Sequence, residues 1–234
     1  MREIVLDTET TGLNPRGGDR LVEIGGVELV NQIPSGQFYH VYINPERDMP
    51  EGAFNVHGLS EEFLSDKPVF ADVAREFIDF IGDATLVIHN AAFDMGFINV
   101  ELARLNLGPI PDAQVLDTLM LARRKHPAGP NSLDALCSRY GIDNSRRTKH
   151  GALLDAELLA EVYIELTGGK QSMLGLTTQS DESRSGGSSV SGRNRAVGPR
   201  PVPLPPRLTG EEIAAHDAFL QSLGGELIWN KYRD

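Results

Sequence analysis

Arg2-Glu3-Ile4-Val5-Leu6-Asp7-Thr8-Glu9-Thr10-Thr11-Gly12-Leu13 is the stretch on which the reading of this chain turns. Ile4-Val5-Leu6 is apolar and suited to a sheet, so residues 2–7 read as a buried strand. That strand ends in two carboxylates, Asp7 and Glu9, two residues apart. The two-residue period of a pleated strand puts both on one face. Paired acids beside a buried run repel, and each is costly to desolvate unless a cation compensates. A solvated strand end is the bland alternative. Thr10-Thr11-Gly12-Leu13 weighs against it by placing a tight turn just behind the pair.

Outward from this strand, residues 21–30 and 37–43 read as two more, the second closed by Asn44-Pro45. Phe70, Val73, Ala74, Phe77, Ile78 and Ile81 have helical spacing. Residues 85–89 form a short buried-type strand, and 93–105 a helix ended by Gly108-Pro109 and Pro111. A last short strand is expected at 115–117. Helices follow at 132–140 and 151–166, the second stopped by Gly168-Gly169. Three successive strands followed by alternating helices and strands predict an α/β sandwich with a mixed sheet.

Composition bounds the answer. A length of 234 residues suits one substantial domain with an extension, and 40 % hydrophobic residues exclude wholesale disorder. The longest apolar runs are far too short to span a bilayer, and Met1-Arg2-Glu3 leads straight into a strand with no signal-peptide core. Cys137 is the only cysteine, which excludes a disulfide framework and a thiolate zinc cluster. The expectation is a soluble cytoplasmic protein. Its net charge is -11, and residues 171–234 carry 7 acids and 7 bases, so the first 170 residues hold the whole excess. Such a domain attracts a phosphate backbone weakly by itself; metal ions or a partner must supply the attraction.

The end of the chain differs in kind. Residues 177–208 are dominated by Ser, Gly, Pro and Arg and read as linker, spanning roughly 30 Å as a coil. Thr209 and Glu212 have capping-box spacing, and Ile213, Ala214, Phe219, Leu220 and Leu223 form an amphipathic stripe before Gly224-Gly225 and Leu227-Ile228-Trp229. A short helix on a tether either packs back on its own domain or docks in a partner's groove; the second is the expectation.

Three further residues bear on the chemistry. Asp94, in His89-Asn90-Ala91-Ala92-Phe93-Asp94, falls in the first turn of a helix, where the dipole favours an anion. His150 and Asp155 bracket the start of the 151–166 helix, with Leu153, Leu154, Leu158 and Leu159 around the acid. Four carboxylates and a histidine on separate elements, without cysteine, point to a hard cation, Mg²⁺ or Mn²⁺. Two such ions about 3.5–4 Å apart clamp an in-line phosphoryl displacement.

In these motifs the sequence resembles the DEDDh 3′–5′ exonucleases: Asp7-Thr8-Glu9, then Asn90-Ala91-Ala92-Phe93-Asp94, then His150 ahead of Asp155. Among them it is most similar to the proofreading subunits of bacterial DNA polymerase III. That likeness runs through Asn131-Ser132-Leu133-Asp134-Ala135-Leu136-Cys137 and residues 147–155, and resumes at Glu211-Glu212-Ile213-Ala214-Ala215-His216. The resemblance implies a ribonuclease-H-like mixed sheet flanked by helices, and an exonuclease domain over 1–170. It implies two divalent ions on Asp7, Glu9, Asp94 and Asp155, with His150 as general base; imidazole, of ordinary pKa about 6.5, suits that role at neutral pH. Nucleotide contacts follow from Thr8, Gly12 and His57, although a loop histidine without a role is the alternative for His57. Asp117 supports the site or is an ordinary buried acid; His89 and Cys137 are assigned to structure. The implied partners are a DNA 3′ end and the polymerase's catalytic alpha subunit, held by the 209–234 tail. Gln171-Ser172-Met173-Leu174-Gly175-Leu176, opening the 171–208 linker, resembles a sliding-clamp-binding peptide. The competing functions are an RNA-trimming exonuclease of the same superfamily and a non-catalytic link between polymerase and clamp.

Overall fold

A computed structural model describes residues 1–168 and 209–223. The linker expected over 171–208, its opening hexapeptide at 171–176 and the 224–234 end of the tail lie outside those residues. In chain order the elements are β1 (Arg2–Thr10), β2 (Leu21–Val30), β3 (Ile33–Tyr42), α1 (Glu51–His57), α2 (Glu61–Leu64), α3 (Phe70–Ile81) and β4 (Thr85–Ile88). There follow α4 (Ala91–Arg104), β5 (Val115–Asp117), α5 (Thr118–Lys125), α6 (Leu133–Tyr140), α7 (Ala152–Leu166) and α8 (Gly210–Leu223).

The five strands lie in the order β3-β2-β1-β4-β5, with β1–β2 and β2–β3 antiparallel, β1–β4 and β4–β5 parallel. This is the mixed sheet flanked by helices that the sequence predicts. β1 sits at its centre, and the alternation of its side chains builds two cores. Ile4 and Leu6 pack with Phe70 and Phe77 of α3 and Phe97 and Ile98 of α4. Val5 packs on the other face with Val87, Leu159 and Tyr163, the last two from α7. Each fully buried Phe or Leu contributes about 1.5–3 kcal/mol. Tyr163 O–H donates to Glu3 Oε1 at 2.6 Å, which satisfies a buried acid and pins α7 to β1. α6 closes over α7 through Leu136 and Cys137 against Leu158 and Val162, so Cys137 is structural as expected.

The structure departs from the sequence reading in several places. β1 continues past Asp7 through Thr8, Glu9 and Thr10, because β2 supplies ladder partners for these polar residues. β3 begins at Ile33, not at residue 37. Asn31 and Gln32 both adopt positive φ, 53° and 64°, which makes a tight two-residue hairpin turn. Pro34-Ser35-Gly36 resembles a turn but is an irregularity within β3, where pairing shifts from Leu29–Pro34 to Val27–Phe38. Proline is tolerated there because β3 is an edge strand. β4 ends at Ile88, and α4 starts at Ala91, two residues earlier than periodicity suggests. α1, α2 and α5 are not anticipated at all.

In α8 the expected capping box is formed: Glu212 N–H donates to Thr209 Oγ1 (3.3 Å) and Thr209 N–H to Glu212 Oε2 (2.8 Å). Ile213 and Phe219 are exposed on that helix. Among the described residues no helix is long and apolar enough to cross a membrane.

Candidate active site

Asp7 and Glu9 share the face of β1 that also carries Val5, the face covered by α7. Asp7 pairs across the ladder with Gly25, and Glu9 with Glu23, itself buried and 2.8 Å from His40 Nε2. Gly25 has no side chain to hold α7 away. A Cβ there would stand 2.2 Å from the backbone nitrogen of Leu153 and 2.3 Å from the carbonyl carbon of Ala152. The start of α7 therefore rests on the sheet beside Asp7, and buried Asp155 comes with it, in the first helical turn.

Asp94 arrives from the opposite layer. Asn90 precedes α4 in the left-handed conformation (φ 65°), which asparagine tolerates. Asp117 accepts from the backbone N–H groups of Asn90 (3.3 Å) and Ala91 (3.2 Å), and also caps α5 through Leu119 N–H (2.8 Å). It thus fixes the end of α4 that bears Asp94. Thr8, on the other face of β1 from Asp7, donates its hydroxyl to Asp94 Oδ1 at 2.6 Å.

The electrostatics of this cluster are unfavourable without a cation. Burial, then Asp94, Glu9 and Asp155, pushes the Asp7 carboxyl well above the ordinary range. Burial, then Glu23, Asp155 and Asp94, raises Glu9 to about 8. Burial raises Asp94 to about 7, partly offset by the Thr8 hydroxyl. Glu9 Oε1 is buried with no hydrogen-bond partner among the described residues. Glu9, His150 and Asp155 each present one ligand atom, and these lie within 4.8 Å of one another. Carboxylate and imidazole donors around an orphaned carboxylate oxygen fit a hard divalent ion.

His150 is half-exposed, 3.5 Å from Asp155, and its backbone N–H donates to Val56 O at 3.2 Å, which ties its loop to α1. In front of the acids lies a cavity of about 570 Å³ bounded by residues 7–13, α1, the β4–α4 turn and His150. Thr8, Gly12 and His57 all line it. A Cβ on Gly12 would fall 2.4 Å from the Asp19 carboxylate, so a larger residue there would have to displace that side chain. His57 is buried and accepts Leu59 N–H at Nδ1 (3.0 Å), so its ring proton sits on Nε2. Among the described residues Nε2 has no hydrogen-bond partner. Burial, the largest influence, lowers the His57 pKa. His89 also lines the cavity while bonded to Thr118 Oγ1 (2.9 Å).

The eight residues singled out by sequence meet at one place. Two that sequence reasoning passed over join them. Glu23 could have been suspected as an acid inside an apolar strand. Arg147 lies three residues before His150, and its guanidinium grips Asp155 through Nε (2.5 Å) and Nη2 (2.7 Å).

A central strand carrying two acids, with a third and a fourth supplied from the two flanking layers, is the arrangement that the resemblance to the DEDDh exonucleases implies. The family model described as "Exonuclease" matches residues 4–163. The chain is 48 % identical over 226 residues to DNA polymerase III subunit epsilon of Rickettsia felis, covering 95 % of this chain and 97 % of that protein. Among solved structures, Exonuclease X in complex with 5′ overhanging duplex DNA has a TM-score of 0.55 at 25 % identity, over 70 % of this chain and 90 % of that one. The nuclease domain of 3′hExo, a DEDDh family member bound to rAMP, shares the fold with a TM-score of 0.62 at 17 % identity, over 71 % and 91 %. The chain belongs to the exonuclease family and, within it, to the DNA polymerase III epsilon subunits, proofreading 3′–5′ exonucleases that depend on divalent metal.

Proposed function

We propose that Asp7, Glu9, Asp94 and Asp155 hold two divalent cations, Mg²⁺ or Mn²⁺, and that His150 is the general base in hydrolysis of the 3′-terminal phosphodiester of DNA. Bound there, the ions would supply positive charge to offset that of the scissile phosphate and would acidify the attacking water. The chain's own residues do the rest. His150, at the half-exposed mouth of the site, accepts the proton of that water and passes it to solvent. The cavity seats the terminal nucleotide, with contacts from the backbone at Thr8 and Gly12 and from His57, whose ring donor is on Nε2. The observation that carries this reading is Glu9 Oε1, buried without a partner among the described residues and set beside mutually repelling acids, an arrangement a cation makes favourable.

The substrate we assign is an unpaired or frayed DNA 3′ end, released as 5′-mononucleotides; a mispaired end costs less to unpair, so a site for single strand selects it. We assign residues 1–170 to the nuclease domain and 171–208 to a linker. Residues 209–234 bind the polymerase alpha subunit, residues 171–176 the sliding clamp, and the protein works in the cytoplasm. Likeness to a polymerase subunit over 97 % of its length favours this over RNA trimming, and the full set of catalytic side chains disfavours a purely linking role.

Replacement of Asp7 by Ala is the direct test. Mn²⁺-dependent cleavage of single-stranded DNA should disappear while circular dichroism is unchanged; an undiminished rate removes Asp7 from the site. DNA and RNA oligomers of matched sequence separate the substrates, and faster cleavage of RNA overturns the DNA assignment.

A further inference from the structure

The loop that delivers His150 also delivers a cation belonging to the chain. The Arg147 side chain is only 9 % exposed and engages both oxygens of Asp155, Nε to Oδ1 at 2.5 Å and Nη2 to Oδ2 at 2.7 Å. Nη2 also lies 3.0 Å from His150 Nδ1, and Nη1 donates to Asp134 Oδ2 at 2.9 Å. One guanidinium thus joins a buried acid of the catalytic cluster, the histidine and an outer acid on α6. Forked arginine–carboxylate pairs are among the strongest hydrogen-bonded ion pairs, and a buried carboxylate left without a cation is costly.

The same geometry sets up a competition. Both oxygens of Asp155 are occupied by N–H donors, so an ion that coordinates Asp155 must displace at least one of them. A divalent ion and a guanidinium on one carboxylate also repel each other strongly at such range. Asp134, 57 % exposed, offers Arg147 a second carboxylate farther from the cluster.

We propose that Arg147 is the resident counter-ion of the catalytic site: it holds Asp155 and His150 in position in the metal-free protein, yields Asp155 when metal binds, and is then retained by Asp134. This makes it a positioning residue, and the proposal rests on Asp155 being a metal ligand.

Mn²⁺ titration calorimetry on the full chain, with melting temperatures in EDTA and in saturating Mn²⁺, tests it without any turnover. Arg147→Ala should bind Mn²⁺ roughly 5–10-fold more tightly, within the usual range of coupling between two ligands. Its melting temperature should fall in EDTA and recover toward wild type in Mn²⁺. Arg147→Lys keeps the charge without the fork and should fall between the two, which covers the case of an Ala variant that does not fold. Asp134→Asn removes the retreat and should weaken Mn²⁺ binding. Equal or weaker Mn²⁺ affinity in both Arg147 variants, or the same loss of melting temperature with and without the ion, overturns the assignment of Arg147 alone. A wild-type chain that binds no Mn²⁺ overturns the metal site as well.

Discussion

Asp7 and Gly25 face each other across the β1–β2 ladder, and the hydrogen that Gly25 carries in place of a side chain is what lets α7 reach the acid. Two parts of the sequence more than 120 residues apart meet there because one position in β2 is empty.

Gly25→Ala should therefore injure stability and catalysis together. The obstructing atoms are backbone atoms of α7 at 2.2 and 2.3 Å, which cannot rotate aside. Overpacking of this kind costs about 1–3 kcal/mol. A displacement of about 1 Å in a catalytic group can cost on the order of 10² in rate. Thermal melts and single-turnover rates below the variant's transition check this; wild-type values for both would mean that α7 does not need its seat on Gly25.

His150→Gln should lower kcat by about 10²–10⁴, the usual worth of a general base. Calorimetry separates this from a metal-ligand role, because His150 also stands among the possible ligand atoms. Mn²⁺ affinity within a few-fold of wild type supports the base; a parallel collapse of affinity makes His150 a ligand.

The metal-free protein should lose stability as pH rises. Glu9, raised to about 8, and Asp94, raised to about 7, both bind protons more tightly in the folded chain than in the unfolded one. Their contribution is greatest below the ordinary carboxylate pKa of about 4 and is lost as pH climbs through the folded values. In EDTA the melting temperature should fall between pH 5.5 and 8.5, and Glu9→Gln should flatten the slope. A constant or rising melting temperature for the wild type contradicts the picture of mutually repelling buried acids.

A chain ending at residue 169 should retain metal-dependent nuclease activity on short single strands and lose the polymerase. The cores run from β1 to the end of α7, so the truncation removes none of their described residues. Gel filtration with the polymerase subunit provides the measurement; unchanged co-elution would refute the role given to the tail.

The acids drew attention in the sequence because each sits near the start or end of a patterned element, Asp7 and Glu9 after Ile4-Val5-Leu6 and Asp94 and Asp155 in the first turns of apolar helices, and the resemblance to the DEDDh exonucleases is what grouped them into one site. α1 and α2 were not, since Phe54, Val56 and Phe63 remain exposed and leave no core-facing stripe to read. α5 was hidden by its composition, a short helix capped by Asp117 and ending in Arg123-Arg124-Lys125. Gly25 looks like any glycine in a strand until α7 is seen against it. The fork of Arg147 on Asp155 depends on how the 144–151 loop closes, and local spacing carries no record of that.

The division of the acids between the two faces of the sheet has a consequence for synthesis. Asp94 belongs to the layer of α3 and α4, whereas Asp155 enters with α7, the last helix of the domain to leave the ribosome. On the proposed assignment, a chain whose α7 has not yet been made lacks Asp155 and with it one of the four acids.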